Sequence, residues 1–376
     1  MTAPGPVADA PATPSTTART LRRLRGALVA GSLLTGALCL VVSGRAHAGS
    51  DAVGGRAAPA VLRAEAAYGA LADAQRAAVQ GFLQETVVLG GLGDRYRNDI
   101  AAINQNLAEL ARYDVAGPTA ASDMQRVEGL VVNYNTQIEQ AAADYRRSGS
   151  LTQALPALWY AELQYREASE TLDVLRQDGK TALAARLDSV WLADATDLLF
   201  LVPFALVLAL FARTQVVLRR RFRRRLNAWL APAVLALTAT ALWCGLSLHA
   251  ADERLRSALD GPWVDAVVLA EEQATRSAGL AADDLFEIVA RACTATATTS
   301  FCGTGLTPSS TTATEVTPEE GRRLGRAEAD FTERSARADA SSSERLTAVV
   351  LLTLAAAAAS AGALNRRIDE YRFGGR

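Results

Sequence analysis

Four stretches of the chain are too apolar and too long to suit the surface of a soluble protein. They constrain the fold more than anything else in the sequence. Gly26 to Gly44 reads GALVAGSLLTGALCLVVSG, Leu192 to Ala212 contains LLFLVPFALVLALFA, Ala228 to Ala250 contains APAVLALTATALWCGLSLHA, and Leu346 to Leu364 reads LTAVVLLTLAAAAASAGAL. Each is near the roughly 20 residues that cross a bilayer as a helix. The fourth is rich in alanine, with Ser360 and Gly362, and its small side chains let another helix approach closely. A buried soluble helix is the alternative for that segment. For the first, the alternative is a cleaved signal peptide, since Ala46-His47-Ala48 has the small-x-small form of a cleavage site. Its apolar run is longer than a usual signal core, and an uncleaved span over 24–44 is expected.

The run RTQVVLRRRFRRRLN fills the gap between the second and third apolar segments. A run this basic could bind nucleic acid, grip acidic lipid, or hold a short loop in the cytoplasm. The formal net charge of −1 leaves no basic domain around it and argues against nucleic acid. Short loops rich in positive charge stay cytoplasmic. Arg22, Arg23 and Arg25 before the first segment, and Arg366 and Arg367 after the fourth, carry the same sign. Both termini and the 213–227 loop are therefore expected inside, and 50–190 and 251–345 outside. Arg213, Arg219, Arg220, Arg221, Arg223, Arg224 and Arg225 are expected to set topology, to touch acidic headgroups, and to form a cytoplasmic relay surface. Residues 1–20 read as a disordered cytoplasmic tail, and 365–376 as a second tail.

The first exported stretch is helical throughout. Apolar residues recur at three and four through Val61, Leu62, Tyr68 and Leu71, through Ile100, Ile103 and Leu107, through Val127, Leu130, Val131, Tyr134 and Ile138, and through Leu155, Leu158 and Leu163. Breaks fall at Gly90 to Gly93, Ala116 to Pro118 and Arg147 to Ser150. The pattern predicts a four-helix-bundle-like domain over 50–190. The cluster Asn133, Tyr134, Asn135 and Gln137 reads as a solvated face, with a ligand contact as the alternative. Residues 251–345 read as a second exported unit, a helical hairpin with a flexible 293–317 loop. Its second helix starts at Pro318, after Thr317 as N-cap. The fold class expected is all-α, with four transmembrane helices.

The chain carries four cysteines. Cys39 and Cys244 fall in apolar segments and read as small hydrophobes. Cys293 and Cys302 bracket CTATATTSFC and could close a disulfide loop outside the cell. The two histidines, His47 and His249, lie far apart, so no metal site is expected. There is no GxSxG, P-loop or HExxH, and the apolar cores of the spans carry no charge that would mark an ion path, Asp194 and Asp197 falling at the very start of the second segment. No cofactor and no enzymatic activity are expected.

Several stretches resemble the four-span actinobacterial membrane proteins of the GlnX type, in the glutamate-sensing PknG kinase pathway. They are AYGALADAQRAAVQGFL, NYNTQIEQAAADYRRSGSLTQALPALWYAELQYREASETL, the arginine loop, ATRSAGLAADDLFEIVARA and the tail IDEYR. Their order and spacing carry the likeness, while the CTATATTSFC insert departs from it. The resemblance implies a protein that relays the state of an exported glutamate- or aspartate-binding lipoprotein to a cytoplasmic serine/threonine kinase or adaptor. A homodimer suits such bundles. Direct sensing of a small molecule by 50–190, and a structural or secretion-associated role, are the competing readings. The sequence does not name ligand or partner contacts.

Overall fold

The computed structural model describes residues 16–87, 92–113, 117–191, 202, 204–216, 231–295, 318–340 and 342–373. Among these the regular structure is all helical. Helix α1 spans Thr16–Ser50 and is followed by a π-helical turn, Asp51–Ala57. Helices α2 (Ala58–Leu83), α3 (Gly93–Leu110), α4 (Gly117–Ser148) and α5 (Leu151–Trp191) come next. Helix α6 covers Phe204–Val216. Helix α7 (Ala231–Ala258), a second π-helical turn (Leu259–Trp263), α8 (Val264–Ala295), α9 (Pro318–Ala340) and α10 (Ser342–Phe373) complete the order.

The chain divides into two compact units. The first comprises Met1–Ala48, Trp191–Asp252 and Ala340–Arg376, and the second Gly49–Val190 and Glu253–Asp339.

In the first unit the apolar side chains face the wrong way for water. Leu34, Leu206, Leu235, Leu242, Leu246 and Leu351 are all at least 59% exposed. A surface of that kind would drive association in water, and hydrocarbon removes the cost. Two helical runs, Arg25–Leu83 and Ala231–Thr294, are long and apolar enough to cross a membrane, and Phe204–Val216 and Thr347–Gly362 are shorter apolar helices. The buried hydroxyl groups of this unit satisfy themselves. Ser32, Thr35, Thr214, Thr240, Thr353 and Ser360 each donate a hydroxyl hydrogen bond to the carbonyl four residues back. In a solvent without hydrogen bonds, that local pairing keeps the hydroxyl satisfied. Gly36 packs so closely on α10 that a β-carbon there would stand 2.1 Å from Thr353 Cγ2. Cys39 and Cys244 are free thiols that share a small cluster with Val349.

The second unit is a helical bundle. Its breaks lie where the sequence places them. Gly93 (φ +78°) opens α3 after the glycine-rich link. Gly149 (φ +64°) ends α4, its N–H reaching Tyr145 O at 2.7 Å, a left-handed cap that glycine adopts without strain. The core joins Leu71 and Phe82 of α2, Ile103 and Leu107 of α3, Val127 and Ile138 of α4, and Leu155 and Leu172 of α5. Leu285, Ile288 and Ala292 of α8 belong to the same core. Residues from the 50–190 and 251–345 stretches thus share one interior, where the sequence had suggested a bundle and a separate hairpin. The physical reason is that α8 carries its own apolar stripe, and α2 meets it with alanines at 67, 70, 74 and 78 that let a fifth helix close in.

Candidate functional site

The two π turns have visible causes. Pro59 has no N–H to offer the carbonyl four residues back, so the helix cannot stay regular through Asp51–Ala57. Pro262 does the same inside Leu259–Trp263. Such turns widen a helix locally and recur at functional sites. Gly54 and Gly55 occupy the first turn. A β-carbon at Gly54 would stand 3.2 Å from Leu255 Cδ1, and one at Gly55 would meet Asp51 Oδ1 at 2.6 Å. The second turn is tied to the start of α2 by Trp263, whose indole N–H donates to Ala58 O at 3.1 Å.

Beside these turns lies a cleft of about 300 Å³. Leu62, Leu255, Ala258 and Phe331 line it with buried apolar surface, and Phe331 is only 1% exposed. Arg63, Arg254, Arg334, Asp51 and Glu328 supply its charge. Arg63 is committed elsewhere, pairing with Glu109 at 2.7 Å and Glu328 at 3.0 Å, and Asp51 pairs with Arg56 at 3.1 Å. Arg334 has only a loose partner, Asp330 at 3.9 Å. Among the described residues Arg254 has no ion-pair partner. A concave pocket with an apolar floor and a few converging polar groups is what small-ligand sites use.

A second cluster lies between α2, α5 and α8. Glu65, 1% exposed, accepts from Arg176 Nη1 at 2.6 Å and pairs with Lys180 at 2.9 Å. Lys180, the chain's single lysine, also reaches Glu271 at 3.1 Å. Arg176 pairs with Asp173 as well, and its guanidinium sits 4.2 Å from the centre of the Tyr68 ring. Burial works against the charge on Lys180, but the hydrogen bonds and charges of Glu65 and Glu271 outweigh it, and its pKa lies above the ordinary lysine value.

A third cluster is deeper. Tyr134 stands between Tyr96 and Tyr165, each ring centre 6.4 Å away. Tyr96 donates to Asn135 Oδ1 at 2.9 Å. The Tyr134 hydroxyl, the Gln75 carbonyl and one oxygen of Asp99 are buried without a hydrogen-bond partner. Gln75 donates to Glu162 Oε2 at 2.8 Å. Desolvation pushes the Asp99 carboxyl up to about 6, and the neighbouring Asp73 adds to this while Arg95 opposes it. Desolvation also raises Glu162, against the pull of Arg166 and Gln75. Asp73 itself accepts from Ser277 at 2.5 Å and from Gln273 at 3.5 Å, linking α2 to α8.

Of the residues singled out in the sequence, Arg213 is exposed on α6, while Arg219, Arg220, Arg221, Arg223, Arg224, Arg225 and Cys302 lie outside the described residues. Cys293 is disulfide-bonded. Tyr134, placed on a solvated face by one reading of its neighbours, is fully buried, as its helical spacing with Val127 and Ile138 required. No group of three or more His, Cys, Asp or Glu among the described residues is placed to hold a metal ion. The buried ion cluster went unremarked in the sequence, although its signal was there. Glu65 falls on the same stripe as Val61 and Tyr68, and Arg176 on that of Leu172 and Leu183, so both charges sit in core-facing phase. The cleft had no comparable signal, because its walls come from distant segments.

Residues 49–188, which take in the first π turn and helices α2 to α5, match the family model of an actinobacterial sensor domain. The match fits a sensing and signalling role for that part of the chain. No curated protein and no solved structure matches the chain.

Proposed function

We propose that the protein is a non-enzymatic transmembrane signal-transduction protein of the plasma membrane. The observation that carries this reading is the sensor-domain match over 49–188, in a chain whose flanking segments form helices with outward-facing apolar side chains. Four spans place both termini and the arginine loop in the cytoplasm and the bundle outside. The bundle relays the state of an exported glutamate- or aspartate-binding lipoprotein to a cytoplasmic serine/threonine kinase or adaptor, which meets the 213–227 loop and the C-terminal tail. A relay of this kind requires only that the bound state of the partner favour one of two helix arrangements.

In-cell crosslinking followed by pull-down, with and without added glutamate, tests it. The expected result is recovery of a solute-binding lipoprotein, crosslinked to residues 50–190 or 251–345 in a glutamate-dependent way. Recovery of no exported binding protein under either condition would remove the lipoprotein from the scheme. The cleft favours a second reading, in which the bundle binds a small molecule itself.

A further inference from the structure

The cleft beside the two π turns has a composition that selects a ligand. Its base is apolar, formed by Leu62, Leu255 and Phe331. Its charged groups are unbalanced in what they leave available. Both carboxylates, Asp51 and Glu328, are engaged by arginines at 3.1 and 3.0 Å. Arg254 has no ion-pair partner among the described residues, and Arg334 has one only at 3.9 Å. Two guanidinium groups, one near the end of α7 and one on α9, therefore line the same cleft, the first without an ion-pair partner among the described residues and the second only loosely paired, and their planar donor forks suit carboxylate and phosphate oxygens. A volume of about 300 Å³ is at the low end for ligand sites and excludes a folded peptide.

We propose that this cleft binds a small amphipathic anion, its anionic oxygens held by Arg254 and Arg334 and its apolar body laid against Leu62, Leu255 and Phe331. Two sources share that chemistry: a free short-chain carboxylate and the anionic end of a membrane lipid. The site has a direct route to signalling. Both π turns contribute to it or border it, and Trp263 joins the second turn to the start of α2. Glycines 54 and 55 leave the first turn free of side-chain bulk at that place. An anion that draws Arg254 and Arg334 together favours one register of these turns over another. This consequence rests on the sensing reading above. The binding does not.

The test is calorimetric titration of hexanoate into the purified full-length chain in phosphatidylcholine nanodiscs, against empty discs. Hexanol and acetate serve as controls, and the range extends to ~10 mM because a small ligand binds in the millimolar region. Hexanoate is expected to bind saturably, acetate at least about tenfold more weakly for want of an apolar body, and hexanol not measurably. Arg254→Gln and Arg334→Gln are each expected to weaken hexanoate by on the order of tenfold. Both positions are exposed, so the thermal transition of the unliganded chain stays in place. A second arm compares phosphatidylcholine with phosphatidylglycerol discs. A thermal shift in anionic discs that disappears in the double variant, without hexanoate binding, assigns the site to lipid and upholds it. Three results overturn the proposal: equal hexanoate binding by the double variant, equal binding of hexanol, or no arginine-dependent effect of either hexanoate or anionic lipid. A chain that binds hexanoate but shows no glutamate-dependent crosslink keeps the site and loses the relay, and the converse loses the site alone.

Discussion

At the scale of single residues, the bundle holds charges where apolar side chains would be cheaper. Glu65 and Arg176 are 1% and 7% exposed at the side chain and lie 2.6 Å apart. Removing one partner of such a pair strands the other, while replacing both with apolar groups is often neutral or stabilising. Arg176→Met is therefore expected to cost about 3 kcal/mol, toward the low end for a stranded buried charge because Lys180 still reaches Glu65. Glu65→Leu combined with Arg176→Met is expected to recover most of that loss, since Lys180 keeps Glu271. Thermal unfolding of the detergent-solubilised chain followed by circular dichroism reads both. A double variant no more stable than the single one would mean the pair contributes net stability instead of specificity.

Asp99 gives a prediction with a defined pH window. Its folded pKa of about 6 lies above the ordinary 3.8, so the folded state holds the proton more tightly than the unfolded state. Its contribution therefore favours folding at low pH and is lost as pH rises through about 6. Glu162 and Asp284 are shifted the same way, each first by desolvation. Asp99→Asn mimics the protonated form. After allowance for partial exposure it is expected to add about 1 kcal/mol at pH 7.5, or roughly 2–4 °C in Tm. The gap between variant and wild type should close near pH 4. A variant less stable than wild type at pH 7.5 would show that the charged carboxylate is needed where it stands, with Arg95 as its counter-charge.

At the scale of elements, the helices were legible because their spacing is regular. The breaks at Gly93 and Gly149 were legible because the chain turns there through positive φ, which glycine alone adopts freely. The π turns were not, although Pro59 and Pro262 mark them. A proline tells that a helix must adjust, and not whether it kinks, ends or widens. Nor could the sequence show that α8 joins the first bundle, since an apolar stripe names no partner. In the apolar unit the close approach at Gly36 carries its own prediction. Even one added carbon would collide with Thr353, so Gly36→Leu pushes α1 away from α10. The native thiols report it. Cys39 and Cys244 pack together with Val349, and copper-phenanthroline oxidation is expected to link them in the wild type. In Gly36→Leu the yield of peptides joined through Cys39 and Cys244, read by mass spectrometry after reduction-sensitive mapping, should fall by about tenfold, as overpacking by 1–3 kcal/mol implies. An undiminished yield would mean the helices separate less than the glycine contact suggests.

At the scale of the whole molecule, the question is what orients the chain and what carries its output, and the arginine run has been assigned both tasks. The two are separable because the run is not the sole topological signal. Arg22, Arg23 and Arg25, and Arg366 and Arg367, have the same sign in segments that the four-span scheme puts on the same side. Positive residues near span ends act together, and losing one group leaves the others to hold the orientation. Replacing Arg219, Arg220, Arg221, Arg223, Arg224 and Arg225 by glutamine is therefore expected to leave the topology intact. A fluorescent protein fused after Arg376 should stay bright, and an alkaline phosphatase fused within 296–317 should stay active. If the run is also the surface that a cytoplasmic partner meets, the same variant should lose its glutamate-dependent output to the kinase while keeping its exported crosslinks. Unchanged output with unchanged topology would confine the arginines to anchoring the loop against acidic headgroups. Inverted topology would show instead that this loop dominates orientation over both flanking groups, and a milder variant retaining three arginines would then decide whether output follows charge or follows placement.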